Sequence, residues 1–150
     1  MGGVAGYARP VEPTGMSTWW AHIKRGTPSE EPGTDYYCPI GTPVRVAASG
    51  VVVEVGTSIV PATGYYVKVN LDDGRSVRYL HLSQALVTVG TRLEWGQYFA
   101  LSGATGYGEQ DWSWNVAETG GAHVHMTVFP THSYPHRWAK GGKNADGSYY

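Results

Sequence analysis

His123 and His125 stand two apart in the stretch Gly121-Ala122-His123-Val124-His125-Met126-Thr127-Val128-Phe129. The run is rich in β-branched and aromatic residues and holds nothing that breaks a strand, so it reads as one. Side chains two apart on a strand share a face, which sets these imidazoles side by side, roughly 7 Å apart at their Cα atoms. Imidazoles fixed in parallel on a rigid strand suit metal ligation, or one ligand beside one general base. Further titratable residues fall at segment ends: His22, Asp35 and His81. A catalytic zinc site needs three N or O ligands and one open position. Hydrolysis then needs a base or acid beside the water. These five residues are enough for both tasks. His132 and His136 lie in an irregular tail and lack such placement.

The segments that must position these residues are short and extended. Residues 1–17 are rich in Gly and Pro and read as an irregular arm. Ser17 or Thr18 could cap one short helical turn ending at Gly26, with His22 inside it, and residues 27–34 read as loop. Gly41 to Gly56 reads as two strand segments joined at Gly50. Tyr65 to Leu71 and Arg75 to Leu82 read as a hairpin about Asp72-Asp73-Gly74, where Asp73-Gly74 suits a type I′ turn. His81 ends the return strand. Leu86 to Leu101 gives two short strands around Gly90 and Gly96. Gly103 to Gly108 is Gly-rich but lacks the Lys-Ser/Thr of a phosphate loop, and no helix pattern follows it. No helical pattern exceeds two or three turns. The expectation is an all-β, antiparallel domain of six to eight short strands.

Composition narrows the partners. Of 150 residues 15% are charged, and the net charge is −1. With no basic block, nucleic acid and anionic membrane surfaces are not expected partners. With 21 Gly and 9 Pro, turns outweigh long helices. Cys38 is the one cysteine, which excludes an intramolecular disulfide and a four-thiolate zinc site. It reads as buried filler. No apolar run approaches the ~18 residues of a membrane span, and the N-terminus lacks the pattern of an ordinary signal peptide.

The ordered pieces resemble the lysostaphin-type (LytM-like) zinc metallopeptidases, which cut peptide bonds of bacterial peptidoglycan. Asp35-Tyr36 with Gly41-Thr42-Pro43-Val44, Ala47 and Gly50-Val51-Val52 is similar to that family's aspartate motif and the strand after it. Gly64-Tyr65-Tyr66-Val67-Lys68-Val69 leads to Tyr79-Leu80-His81-Leu82-Ser83, similar to its Tyr-x-His-Leu-Ser signature. Val89-Gly90 and Gly96-Gln97 match its next turns, and Ser102 to Gly106 precedes the His123-Val124-His125 pair. The resemblance runs from about His22 to Phe129. It implies a sandwich or distorted barrel with long loops over residues 18–130, followed by an irregular tail at 131–150. It implies zinc held by His22, Asp35 and His125, with His81 and His123 binding and activating water. Tyr79 either adds a hydrogen bond to the site or is a core-edge tyrosine.

Two features depart from the family pattern. His22 and Asp35 are thirteen residues apart, where the family has about four; if His22 misses the metal, Glu30 or Glu31 could take its place. The loop from Gly106 to Gly121 is longer than usual and carries Tyr107, Trp112 and Trp114, rings that would line or cover a groove. Three functions compete: a zinc endopeptidase acting on peptidoglycan peptides, a catalytically degenerate module with a structural or wall-binding role, and an unrelated β-sandwich that binds carbohydrate through its rings. A wall-cutting enzyme without an evident export signal is expected to be a bacteriophage product, either a lysin or a part assembled into the virion.

Overall fold

The computed structural model describes residues 6–17, 33–110 and 121–133. Among them are nine strands and no helix: β1 (Gly15–Ser17), β2 (Thr34–Tyr37), β3 (Pro43–Arg45), β4 (Gly50–Gly56), β5 (Tyr65–Leu71), β6 (Ser76–Ala85), β7 (Arg92–Leu93), β8 (Tyr98–Ser102) and β9 (His123–Phe129). No helix of the described residues is long and apolar enough to cross a membrane. The strands form one open antiparallel sheet in the order β1-β2-β9-β6-β5-β4-β7, with β8 joining β6 and β3 joining β8. The all-β, antiparallel expectation holds, with nine strands in place of the expected six to eight. The last three residues of the expected arm form β1, which pairs with β2; the residues before them pack Tyr7 and Val11 into the core.

Alternation gives the sheet two faces. Val67, Val69, Val77, Tyr79, Val124, Met126 and Val128 point to one side, where Val44, Val46, Phe99 and Leu93 join them in a continuous buried cluster. Each such side chain contributes about 1.5–3 kcal/mol by leaving water. The other face carries polar residues that are also buried, among them Asp35, Arg78, His125 and Thr127.

The ten-residue β6 organises the sheet. It pairs with β9 as far as Leu80 opposite His125. From Leu82 opposite Ser102 it pairs with β8 instead, while β5 stays alongside on the other edge, Tyr65 facing Leu82. β9 and β8 therefore part company at His81. The hairpin before β6 corrects the sequence reading. A type I′ turn needs positive φ at both central residues, but of Asp73 and Gly74 only Gly74 has it, at 95°. The Gly74 N–H donates to the Leu71 carbonyl and the Leu71 N–H to the Arg75 carbonyl, a three-residue loop with glycine in the left-handed position. In this form the Asp73 carboxylate accepts from the Arg75 N–H and from the Tyr7 hydroxyl.

Candidate active site

Three strands bring four of the expected residues to one place. β9 supplies His123 and His125 on a single face, as alternation requires. Asp35 of β2 lies directly opposite His125, and Tyr37 opposite His123, so Asp35 shares that face. His81 arrives by a different device. Tyr79 of β6 faces the core, and a regular strand would send His81 there too. Between the Tyr65–Leu82 and Val67–Tyr79 pairs, β6 has two residues where β5 has one. This is a β-bulge, which re-aims a side chain. His81 adopts φ 65°, an uncommon and costly conformation for a residue with a Cβ. Its N–H donates to the Thr63 carbonyl, 2.9 Å away. The result turns the ring to within 4.9 Å of the His123 ring and 6.1 Å of the His125 ring, centroid to centroid.

Hydrogen bonds set the protons. His81 Nδ1 lies 2.9 Å from the Thr105 carbonyl, and His123 Nδ1 lies 2.8 Å from the Gly121 carbonyl. A carbonyl only accepts, so each ring carries its proton on Nδ1 and presents Nε2 as a lone pair. Burial, followed by the neighbouring His123 and His125, holds the His81 imidazole well below the usual histidine range. It is a neutral base at neutral pH.

His125 is arranged differently. Its Nδ1 is 3.1 Å from Asp35 Oδ1, and its Nε2 is 2.9 Å from the Thr127 hydroxyl. His123 Nε2 is 3.6 Å from the same Asp35 oxygen. Asp35 and His125 are each only 1% exposed. Two ring nitrogens thus converge on Asp35 Oδ1, whose buried charge is met either by a proton on an imidazole or by a cation. The described residues alone contain no group of three His, Cys, Asp or Glu side chains closed around a point. His22, Glu30 and Glu31, the residues expected to supply a further ligand, lie outside the described residues, as do Trp112 and Trp114.

Tyr79 is resolved in favour of the core. It is fully buried against Phe99, with ring centroids 4.8 Å apart, and its hydroxyl accepts the Ala47 N–H at 2.8 Å. Burial pushes its phenol above the ordinary range. Cys38 is buried, and burial raises its thiol as well, in keeping with the filler reading. Two residues that the sequence reading passed over touch His125. Thr127 follows it by two, a same-face position that alternation could have flagged. Gly33 precedes β2, and a Cβ there would lie 2.6 Å from His125 Nε2 and 2.6 Å from the Met126 carbonyl oxygen. Only glycine lets the main chain pass so close.

The sequence and the fold have counterparts. The chain is 46% identical over 74 residues to the peptidoglycan DD-endopeptidase ShyA of Vibrio cholerae, a match covering 49% of this chain and 17% of that protein. A crystal structure of a zinc containing peptidase from Vibrio cholerae superposes with a TM-score of 0.59 at 30% identity, over 83% of this chain and 37% of that one. The catalytic domain of lysostaphin from Staphylococcus simulans gives a TM-score of 0.58 at 27% identity, covering 87% of this chain and 82% of that domain. The chain spans less than a fifth of the length of ShyA. The model for peptidase family M23 matches residues 29–135, a span that takes in Asp35, the bulge at His81 and the paired histidines of β9, and on that match the chain belongs to peptidase family M23.

Proposed function

We propose that this chain is a zinc-dependent endopeptidase that hydrolyses peptide bonds in the stem or cross-bridge of bacterial peptidoglycan, with Asp35, His125 and His22 as metal ligands and His81 and His123 as catalytic residues. The observation that carries this reading is the convergence of Asp35, His81, His123 and His125 from three strands onto one buried spot. The donor set fits the ion. Two ligands about 2.0–2.1 Å from one tetrahedral centre lie about 3.3 Å from each other, and Asp35 Oδ1 and His125 Nδ1 are 3.1 Å apart. The names of relatives agree: ShyA is a peptidoglycan endopeptidase, and a structural neighbour is a zinc containing peptidase.

When bound, zinc would supply a Lewis acid that polarises the scissile carbonyl and acidifies water. The chain's own groups do the rest. His81 and His123 each offer a lone pair at Nε2, so either can take the proton from the attacking water and later give one to the leaving amine. Asp35 stands 3.6 Å from His123 Nε2, which favours the imidazolium as it forms. The main-chain carbonyls of Thr105 and Gly121 fix both rings in the productive tautomer.

The test is digestion of purified sacculi and defined muropeptides, with products weighed and zinc measured by elemental analysis. Stoichiometric zinc, and cleavage abolished by chelation and by His125→Ala, are expected. Cleavage that survives both would overturn the reading. The thirteen-residue separation of His22 and Asp35 favours a second reading, a degenerate module that binds wall without cutting it; that module would take up no zinc and retain sacculus binding.

A further inference from the structure

We infer that Thr127 is a positioning residue whose hydroxyl exchanges donor and acceptor roles with His125 as the metal arrives, an inference that rests on His125 being a ligand. The three site histidines are held in two ways. His81 and His123 are tied by carbonyls, which accept only, so their tautomers do not change. Both nitrogens of His125 instead meet side-chain oxygens: Asp35 Oδ1 at Nδ1 and Thr127 Oγ1 at Nε2. An ionised carboxylate only accepts, whereas a hydroxyl can do either.

Two proton arrangements follow. Without a cation, Nδ1–H donates to Asp35 and the Thr127 hydroxyl donates to Nε2. With a cation, Nδ1 must present its lone pair: it gives its proton to solvent while Nε2 takes one up, so the ring stays neutral, Nε2–H donates to Thr127 Oγ1, and the hydroxyl hydrogen turns away from the ring. Each arrangement satisfies both nitrogens in a site where an unsatisfied polar group is costly. A carbonyl in place of Thr127 would oppose the first, and a methyl would satisfy neither. Gly33 reinforces the contact. A Cβ there would lie 2.6 Å from His125 Nε2 and 2.8 Å from Thr127 Oγ1, so main chain backs this edge of the ring. Thr127 thus has the part of the outer partner that orients a ligating histidine.

The test uses the whole chain, with Thr127→Val and Thr127→Ser. Zinc affinity is read by competition with a chromophoric chelator, and the His125 tautomer by ¹⁵N NMR of metal-free and zinc-loaded protein. Thr127→Val is expected to weaken zinc about 10–100-fold, and Thr127→Ser to restore it to within about threefold. Wild type should show the His125 proton on Nδ1 without zinc and on Nε2 with it. Zinc affinity unchanged in Thr127→Val overturns the inference and leaves the enzyme reading standing. A proton on Nε2 in both wild-type forms does the same, even if Thr127→Val fails to fold. Wild type that takes up no zinc overturns both.

Discussion

Replacing Gly33 with alanine puts a methyl carbon 2.6 Å from His125 Nε2, 2.6 Å from the Met126 carbonyl oxygen and 2.8 Å from Thr127 Oγ1. Side-chain carbons essentially never come that close, and one of the three atoms belongs to the backbone of the adjoining strand, so relief requires β2 and β9 to separate or His125 to move. Overpacking of this kind costs about 1–3 kcal/mol. The loss of glycine freedom in the unfolded chain returns about 0.4–1 kcal/mol. The net is about 0–2.6 kcal/mol of destabilisation, or a fall in Tm of up to roughly 10 °C for a chain of this size. The functional loss should be larger than that figure suggests, because a displacement near 1 Å at a catalytic group costs about a hundredfold in rate. The control is Gly15→Ala on β1, where, among the described residues, the added carbon meets only a Tyr37 ring carbon at an ordinary 3.8 Å. There the freedom term acts alone, and stability should hold or rise slightly. The assay is thermal unfolding of both variants with muropeptide cleavage measured at a temperature where both are folded. A Gly33→Ala protein as stable and as active as Gly15→Ala would refute the reasoning.

Three further outcomes test the site and the core that carries it. Tyr79→Phe strips the acceptor from the buried Ala47 N–H, which should cost about 1–3 kcal/mol; cleavage per folded molecule should stay at the wild-type level, and a large fall in kcat would return Tyr79 to the site. His81→Asn keeps a residue that tolerates positive φ and removes a base, so cleavage per folded molecule should drop about 10²–10⁴-fold, while loss of the buried bond to the Thr105 carbonyl should cost about 1–3 kcal/mol of stability. The third concerns pH. His81 titrates near 6.5 when unfolded and well below that when buried. Its neutral burial therefore contributes fully above about pH 6.5, and the contribution is lost as pH falls through 6.5 toward the folded value. Metal-free wild type should lose stability more steeply than His81→Asn between pH 7.5 and 5.5 in thermal scans; parallel curves would contradict the burial of a neutral ring.

Much of this architecture was legible in residue pattern. The period-two runs that became β5, β6 and β9 each join a buried apolar face to a polar one, and that pattern has no helical reading. The His123 and His125 pair shares a face because strand geometry leaves no other choice. The failures share a cause. Tyr79 and His81 are two apart, so alternation puts them together, yet a bulge with positive φ separates them; no local preference marks a histidine for that conformation. It falls where β6 leaves β9 for β8, a long-range event. The Asp73-Gly74 turn went the same way: the dipeptide allows two hairpin forms, and the distant Tyr7 hydroxyl on the Asp73 carboxylate accompanies the one observed. Gly33 went unremarked because a glycine before a strand reads as punctuation, and its purpose depends on what the sheet places beside it.

That two of the site histidines rest on main-chain carbonyls bears on how this chain can vary. Substitution at Gly121 adds a side chain and leaves the carbonyl oxygen in place, so the proton on His123 is insulated from most single-residue drift at the position that holds it, whereas at Thr105 the hydroxyl also anchors the segment, donating to the Leu82 carbonyl and accepting from the Tyr65 N–H. What would displace those oxygens is a change in the length of the loops that carry them. Homologous chains with this site should therefore tolerate exchange of residue type along these loops far better than insertion or deletion of a single residue beside them.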